Sequence, residues 1–214
     1  MKKENKKSFY IAVSILIAFV LWTVAVRFID VQPIGPQGSA VGFATVNKFI
    51  HDILGVHMSL YIITDWLSIL PLCFVVGFAL LGLVQWIRRG HILSVDMSIL
   101  ALGGFYIVVM VVYLLFEIIV LNYRPVLIGG YLEASYPSST TMLVLCVMST
   151  AIMQLKTRIK NRVLGRFVTL AIFAYIAFMV ICRLISGVHW FTDIIGGALL
   201  SAGLVLIYYS VVEL

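Results

Sequence analysis

Charged residues are scarce in this sequence. Asp, Glu, Lys and Arg make up 11% of its 214 residues, whereas 63% of the residues are hydrophobic. Soluble globular domains carry about 25% charged residues, so this composition excludes a soluble fold and predicts that lipid is the main solvent. No stretch is left over for a soluble domain, and we expect residues 1–214 to form a single membrane domain.

Cysteine and internal repetition are scarce as well. The three cysteines, Cys73, Cys146 and Cys182, lie in apolar stretches at unrelated spacings. This placement favours neither a disulfide framework nor a zinc site. The two halves of the chain do not repeat each other, whereas such a repeat is typical of transporters with a binding site at the middle of the bilayer. A transporter is therefore the weaker interpretation.

Six apolar, charge-free stretches are present, most of them near the ~20 residues that span a bilayer. They are Phe9–Val26, Trp66–Ile87, Ile99–Phe116, Thr140–Leu155, Phe167–Cys182 and Ile194–Val212. Because lipid offers the backbone no hydrogen-bond partner, stretches of this kind must be helices. The prediction is an all-α integral membrane protein with about six transmembrane helices in one bundle. The first stretch lacks a small-residue cleavage site, so it is interpreted as a retained span.

Basic residues concentrate on one side of this topology. They comprise Lys2, Lys3, Lys6 and Lys7 before the first span, Arg88 and Arg89 after the second, and Lys156, Arg158, Lys160, Arg162 and Arg166 between the fourth and fifth. The positive-inside rule then places both termini in the cytoplasm of a multi-pass plasma-membrane protein. The net charge of +6 is thus a topology signal, and no nucleic-acid partner is expected.

The longest outer segment joins the first two spans and runs from Asp30 to about His57. Apolar residues recur there at helical spacing, at Phe43, Val46, Phe49, Ile50 and Ile53. The pattern predicts a helix lying in the membrane interface. This helix would be either a lid or collar packed on the bundle or a direct contact for substrate.

Ionisable residues gather at the outer end of the later spans, where charges are costly and usually functional. The set is Asp65, Glu117, Arg124, Glu133, Arg183, His189 and Asp193. His189 and Asp193 are four residues apart and share a face if the last helix starts near His189. Asp193 would accept the Nδ1–H of His189 and leave Nε2 free as a nucleophile or base.

Two arginines and a helix start complete a candidate site for a phosphoryl group. Arg183 and Arg124 provide planar cations that suit phosphate oxygens. Pro137 and Ser138 are typical of a helix start, whose free N–H groups bind anions. The hydroxyls of Ser138, Ser139 and Thr140 add donors. Together with an oriented histidine, these groups predict phosphoryl transfer.

The three motifs resemble those of the type 2 phosphatidic acid phosphatase superfamily, whose signature is Lys-x6-Arg-Pro, Pro-Ser-Gly-His and Ser-Arg-x5-His-x3-Asp. The matching residues, in the same order, are Arg124-Pro125, Pro137-Ser138 and Arg183-x5-His189-x3-Asp193, within a phosphatase-like core of about residues 95–212.

The resemblance implies a lipid phosphate substrate and no metal or cofactor. It implies that His189 forms a phosphohistidine, that Asp193 orients His189, and that Arg124, Arg183 and Ser138 hold the phosphoryl oxygens.

Cys182 stands where the third motif of the family has serine, and three further positions depart from the family signature. The lysine position holds Glu117, the glycine position holds Ser139, and the position of the histidine that protonates the leaving group holds Thr140. A threonine hydroxyl is a very weak acid, and a positioned acid typically contributes about 10²–10⁴-fold in rate. Diphosphate substrates need less protonation, because their leaving group is itself a phosphate.

Other groups could replace the missing acid. His51, His57, Glu133 or a protonated, desolvated Glu117 are the alternatives, while Glu117 could instead pair with Arg124 or Arg183. Tyr136, Ser138, Ser139, Glu117 and Glu133 are the candidate substrate-binding residues.

The sequence thus favours a membrane phosphatase for lipid phosphates or diphosphates, such as phosphatidate, phosphatidylglycerol phosphate or a polyprenyl diphosphate. The alternatives are a lipid phosphotransferase and a homologue that binds lipid phosphate without turnover.

Overall fold

The computed structural model describes residues 3–212 of the protein, which form eight α-helices and no β-strand. The helices are α1 (Lys3–Phe28), α2 (Ala44–Leu54), α3 (Met58–Leu67), α4 (Ile69–Arg89), α5 (Met97–Ile118), α6 (Ser139–Arg158), α7 (Arg162–Ile185) and α8 (Phe191–Val212). Single 3₁₀ turns occupy Pro36–Gly38 and Ile92–Ser94. The all-α prediction is confirmed.

Six helical segments of the described chain are long and apolar enough to cross a membrane, as predicted. They are Lys6–Phe28, Met58–Arg89, Met97–Ile118, Ser139–Arg158, Arg162–Ile185 and Phe191–Val212. The second is longer than expected, because α3 runs into α4 with only a break at Ser68. The predicted boundary at Trp66 was placed after a charged residue, Asp65, but helical hydrogen bonding continues past it.

Helices α6 and α8 form the centre of the bundle. In their most apolar windows 61% and 50% of the residues are buried, against 11–17% for the other four spans. The N-termini of both helices lie at the same end, where Ser138 N–H donates to the Asp193 carbonyl at 3.0 Å. The indole of Trp22, near the end of α1, donates to the Thr192 carbonyl there. We call this the site end of the bundle.

Helix α2 exists as predicted, but most of its apolar side chains do not face the bundle. Ala44 and Asn47 are buried, whereas Val46, Phe49 and Ile53 are exposed. The inward face is held by polar contacts that apolar periodicity does not detect: the Asn47 amide donates to the Thr192 hydroxyl at 2.9 Å and accepts from the Thr192 N–H. Helix α2 is therefore a collar attached to the start of α8, with its apolar face outward.

The connection from α5 to α6 folds back on itself at the site end. Arg124 N–H donates to the Glu133 carbonyl, and Ser135 N–H donates to the Asn122 carbonyl, across an isolated antiparallel bridge. This short ladder fixes the backbone on both sides of Arg124 and Ser135, and it brings the Ser135 side chain to Asp193 of α8.

Candidate active site

His189 lies in the tight connection between α7 and α8 and is buried. The turn before it requires glycine, because Gly187 has φ +68 and a Cβ there would lie 2.1 Å from the Gly55 carbonyl oxygen. Burial lowers the pKa of the His189 imidazole to about 4, and the charges of Arg124 and Arg183 act in the same direction. The imidazole is therefore neutral at neutral pH.

The orientation of His189 differs from the expected direct contact with Asp193. The Nδ1 atom lies 3.8 Å from Asp193 Oδ2, too far for a hydrogen bond. Ser135 stands between them, with its hydroxyl 3.0 Å from His189 Nδ1 and in hydrogen-bond contact with Asp193 Oδ2. The two side chains lie close together, but a serine from the α5–α6 connection joins them.

The Asp193 carboxylate is fully buried and accepts three hydrogen bonds. Its donors are the Ser135 hydroxyl, the Trp190 N–H at 2.9 Å and the Asn122 amide at 3.3 Å. A buried carboxylate is costly without such partners. These three donors hold the carboxylate in one place, at the first turn of α8.

Arg183 is 2% exposed and extends from the last turn of α7 toward α3 and α6. Its Nη1 donates to the Thr64 hydroxyl at 3.0 Å, and its Nη2 donates to the Thr140 hydroxyl at 2.7 Å. The nearest carboxylate is that of Asp65, 3.7 Å from Nη2. The Nε atom is buried and has no hydrogen-bond partner in the described part of the chain.

Arg124 lies in the α5–α6 connection, on the side of the short ladder opposite Ser135, and is also buried. Its Nε is 3.1 Å from Glu133 Oε2, which makes an ion pair, but the angle does not allow a hydrogen bond. Its Nη1 has no partner among residues 3–212. The Tyr61 ring contacts both cations, with its centroid 4.7 Å from the Arg183 guanidinium carbon and 5.8 Å from that of Arg124.

The unpartnered atoms are the main chemical feature of this site. Arg124 Nη1, Arg183 Nε and His189 Nε2 are buried and without a hydrogen-bond partner in the described structure. Almost all buried polar groups in folded proteins are paired, so such atoms need an explanation. Two cationic donors and one neutral imidazole nitrogen are complementary to a phosphoryl group, whose oxygens accept and whose phosphorus is attacked.

The start of α6 adds a hydroxyl-rich helix N-terminus. The Ser138 side chain caps the helix by accepting from the Thr141 N–H, and Thr140 contacts Arg183. Ser139 and Thr140 also line one end of an apolar groove of about 310 Å³ between α4, α5 and α6. The apolar part of the groove is formed by Leu72, Val75, Tyr106, Val109, Met110, Tyr113, Met142, Leu143 and Val147.

Two of the candidate substrate-binding residues make no ion pair or hydrogen bond with Arg124 or Arg183 in the described chain. Tyr136 is buried in the core, where its ring stacks on Phe19 and its hydroxyl bonds to Thr23 at 2.7 Å, so its side chain is directed to α1 rather than to the arginines. Glu117 is exposed, and no ion pair joins it to either arginine within residues 3–212. Apolar contacts explain the direction of the Tyr136 side chain, whereas Glu117, on the exposed side of α5, lines a small crevice with Ser135, Pro137 and Ser139.

The other proposed substitutes for the missing acid are placed as follows. Glu133 is half-buried and pairs with Arg124. His57 is exposed and bonds the Leu54 carbonyl at 2.8 Å. His51 has a buried Nε2 without a partner in the described chain and lines a small cavity with His189, but neither arginine borders that cavity.

Sequence reasoning missed Ser135, Tyr61, Thr64 and Asn122. Each of the four contacts a charged site residue through a hydroxyl, an amide or a ring, and the residue type alone does not distinguish them from packing residues. Among the described residues, no three His, Cys, Asp or Glu side chains converge as they would around a metal ion.

Comparison with known proteins identifies the family. The family model of the PAP2 superfamily matches residues 72–214. Comparison with curated protein sequences gives no significant match. Among solved structures, the crystal structure of the first transmembrane PAP2-type phosphatidylglycerolphosphate phosphatase from Bacillus subtilis is similar, with a TM-score of 0.58, 18% identity and 93% of each chain covered.

The family match covers well over half of the chain, and the similar structure shares its six-span fold. Together they confirm the predicted resemblance: this chain belongs to the PAP2 superfamily.

Proposed function

We propose that this protein is a membrane-embedded phosphatase that hydrolyses a lipid phosphate or diphosphate through a phosphohistidine on His189. The observation that carries the proposal is the set of three buried, unpartnered nitrogens: Arg124 Nη1, Arg183 Nε and His189 Nε2. Bound phosphate oxygens would satisfy both arginines, and the phosphorus would then face the imidazole lone pair. An unsatisfied buried donor costs about 1–3 kcal/mol, which phosphate binding would recover.

The reaction has two steps. The Nε2 lone pair of His189 attacks phosphorus, the N–P bond forms, and the P–O bond to the leaving group breaks with its electron pair on that oxygen. Water then attacks the phosphohistidine, the N–P bond breaks with its electron pair returning to Nε2, and inorganic phosphate leaves with the oxygen and one proton of water, while the other proton passes to the solvent. Arg124 and Arg183 offset the negative charge of the transferring group in both steps.

The leaving group determines which substrates suit this site. Thr140 occupies the acid position and already accepts a hydrogen bond from Arg183, and its hydroxyl is too weak an acid to protonate an alkoxide. When a diphosphate is cleaved, the leaving group is itself a phosphate, which is stable as an anion and needs no strong acid to protonate it. Diphosphates are therefore favoured over monoesters.

The apolar groove supports a lipid as the substrate. Its walls belong to membrane-spanning parts of α4, α5 and α6, and it ends at Ser139 and Thr140, beside Arg183. A hydrocarbon chain in the groove would place its phosphate at the site end. The distribution of basic residues favours an outward-facing site end with both termini in the cytoplasm.

The test measures phosphate release by purified protein in mixed micelles containing phosphatidate, phosphatidylglycerol phosphate or a polyprenyl diphosphate. We expect release from at least one of them, fastest from the diphosphate, and loss of more than about 10³-fold on His189→Ala. His91→Gln, which alters a histidine in the loop before α5, is the matched control. Equal rates for wild type and His189→Ala would disprove the proposal.

A homologue that binds lipid phosphate without turnover is the second candidate. It is favoured by the Glu133 carboxylate on Arg124 and by the absence of a histidine at position 140. Under this alternative, phosphatidate would bind in an Arg183-dependent manner but release no phosphate.

Adding an acceptor alcohol and analysing the lipid products separates hydrolysis from transfer, because only a transferase yields a new phosphorylated lipid.

A further inference from the structure

Ser135 forms the centre of a three-residue hydrogen-bond chain in the site. Its hydroxyl contacts both Asp193 Oδ2 and His189 Nδ1, the latter at 3.0 Å. All three side chains are buried, with Asp193 at 0%, Ser135 at 2% and His189 at 3% exposure. This burial shields the contacts from bulk solvent, so the direction of each hydrogen bond follows from the donors that the three groups carry.

Those directions are determined by the chemistry of the three groups. An ionised carboxylate only accepts, so the single Ser135 proton goes to Asp193. The Ser135 oxygen then has only lone pairs to offer, and the bond to His189 requires a proton on Nδ1. A neutral imidazole protonated at Nδ1 has its lone pair on Nε2, the atom that is buried and unpartnered in the described structure.

Asp193 makes no direct hydrogen bond to His189. The gap from its Oδ2 to Nδ1 is 3.8 Å. The carboxylate is also held by the Trp190 N–H and the Asn122 amide. Moving it toward the imidazole would break those two bonds, so the influence of Asp193 on the ring passes through the serine hydroxyl.

Fixing the loop does not require the Ser135 side chain. The backbone N–H of Ser135 donates to the Asn122 carbonyl at 2.9 Å, and the neighbouring Arg124 N–H donates to the Glu133 carbonyl. These backbone bonds persist when the side chain is shortened. Ser135→Ala therefore removes the link between Asp193 and His189 while leaving the ladder intact.

We infer that Ser135 is a positioning residue that relays the influence of Asp193 to His189 through its hydroxyl. It thereby fixes the Nδ1–H tautomer and directs the Nε2 lone pair at the substrate. This inference rests on the proposed function in so far as His189 is the nucleophile. Ser135 touches no reacting atom, and its effect on the rate passes entirely through the imidazole.

The kinetic test uses Ser135→Ala, Ser135→Thr, Asp193→Asn and the Ser135→Ala/Asp193→Asn double variant. Partners of this kind typically contribute about 10–100-fold, so Ser135→Ala should lower kcat by that factor with KM changed less than about threefold. Ser135→Thr keeps the hydroxyl and should recover most of the rate. In the Asp193→Asn background the Ser135→Ala loss should largely disappear, because the relay is already broken. An unchanged kcat in Ser135→Ala, or full additivity in the double variant, would overturn the inference.

A spectroscopic readout separates failure of this inference from failure of the proposed function. In protein labelled with ¹⁵N-histidine, His189, assigned by comparison with His189→Gln, should give the Nδ1–H signature in wild type and in Ser135→Thr. Ser135→Ala should lose it. If wild type releases no phosphate but shows this serine-dependent signature, the inference stands and the proposed function fails. If wild type is active and its tautomer is the same in Ser135→Ala, the inference fails alone. Ser135→Cys, a weaker acceptor of similar size, serves both readouts if Ser135→Ala does not fold.

Discussion

Arg183 Nη2 donates a hydrogen bond to the hydroxyl of Thr140 at 2.7 Å. This contact joins the cation of the third motif to the position where the family signature has its leaving-group acid. The threonine oxygen therefore helps to hold the arginine, and it leaves the proton-donor role without an occupant on α6. The substrate range should depend on this position more than on any other.

The first prediction restores the family residues at the start of α6. In Ser139→Gly/Thr140→His, an imidazolium could protonate an alkoxide leaving group, and a positioned acid contributes about 10²–10⁴-fold. Because the Arg183 contact is lost at the same time, we expect a net gain of about tenfold or more for phosphatidate. The gain for a polyprenyl diphosphate should be less than about threefold.

The measurement is the ratio of kcat/KM for the two substrates in wild type and in the double variant. Ser139→Gly alone is the control, since it changes the helix start but adds no acid. A parallel rise for both substrates would mean that leaving-group protonation does not limit the wild-type reaction.

The second prediction concerns pH. Burial lowers the pKa of His189 to about 4, compared with about 6.5 for an exposed histidine. Protonation removes the Nε2 lone pair, so kcat/KM should persist as the pH falls from 7 to 5 and then drop tenfold per unit below about pH 4. The substrate phosphate has its second ionisation near pH 6, so kcat/KM must be corrected for the fraction of substrate in each ionisation state.

The profile should be recorded together with tryptophan fluorescence of the same samples, to separate titration from unfolding. Ser135→Thr, which keeps the hydroxyl, should give the same acidic limb. A limb centred near pH 6.5 in wild type would show that the imidazole of the working protein is solvated.

Much of this architecture could be predicted from the sequence because it follows from composition. The apolar stretches that predict the six spans are charge-free, and the pair His189 and Asp193 lies within one local motif. The network around them could not be predicted: Ser135 and Tyr61 come from distant segments, and their neighbours in sequence give no sign of the contact. A 3.8 Å gap in place of a hydrogen bond is a matter of backbone placement, which spacing along a helix does not determine.

Tyr136 and α2 illustrate the same limit. The tyrosine precedes the second motif directly, yet packing against Phe19 and Phe116 turns its ring away from the site. In α2 the apolar periodicity indicated a helix but not its orientation. The side facing the protein is determined by Asn47, a single amide that bonds to Thr192.

The third prediction tests competition between Glu133 and substrate for Arg124. The carboxylate is 3.1 Å from the Arg124 Nε, but the Glu133 side chain is 42% exposed, so the pair is worth only about 0.2–1 kcal/mol. Glu133→Gln frees the cation and should lower KM by about two- to fivefold with little change in kcat.

Asp52→Asn is the matched control for this variant. It also removes one negative charge and an ion pair, with Lys48, from the exposed face of α2. Its KM should stay at the wild-type value. If KM rises in Glu133→Gln, the carboxylate holds Arg124 in its binding position instead of competing for it.

The fourth prediction concerns the turn that carries His189. Gly187 has φ +68, and a Cβ there would lie 2.1 Å from the Gly55 carbonyl oxygen, at the junction of α2 and α3. The Ser186 carbonyl accepts a hydrogen bond from the His57 N–H beside it. Gly187→Ala should therefore separate the turn from that junction, displace His189 and lower the unfolding temperature in detergent.

Gly38→Ala isolates the cause of that loss. Gly38 has φ +75, so alanine there meets the same left-handed backbone cost of about 1–2 kcal/mol, but a Cβ would have no atom within 4 Å. We expect a small drop in unfolding temperature and full activity for Gly38→Ala, against a larger drop and more than about tenfold lower kcat for Gly187→Ala. Equal thermal shifts with full activity in both would mean that the contact with Gly55 does not position His189.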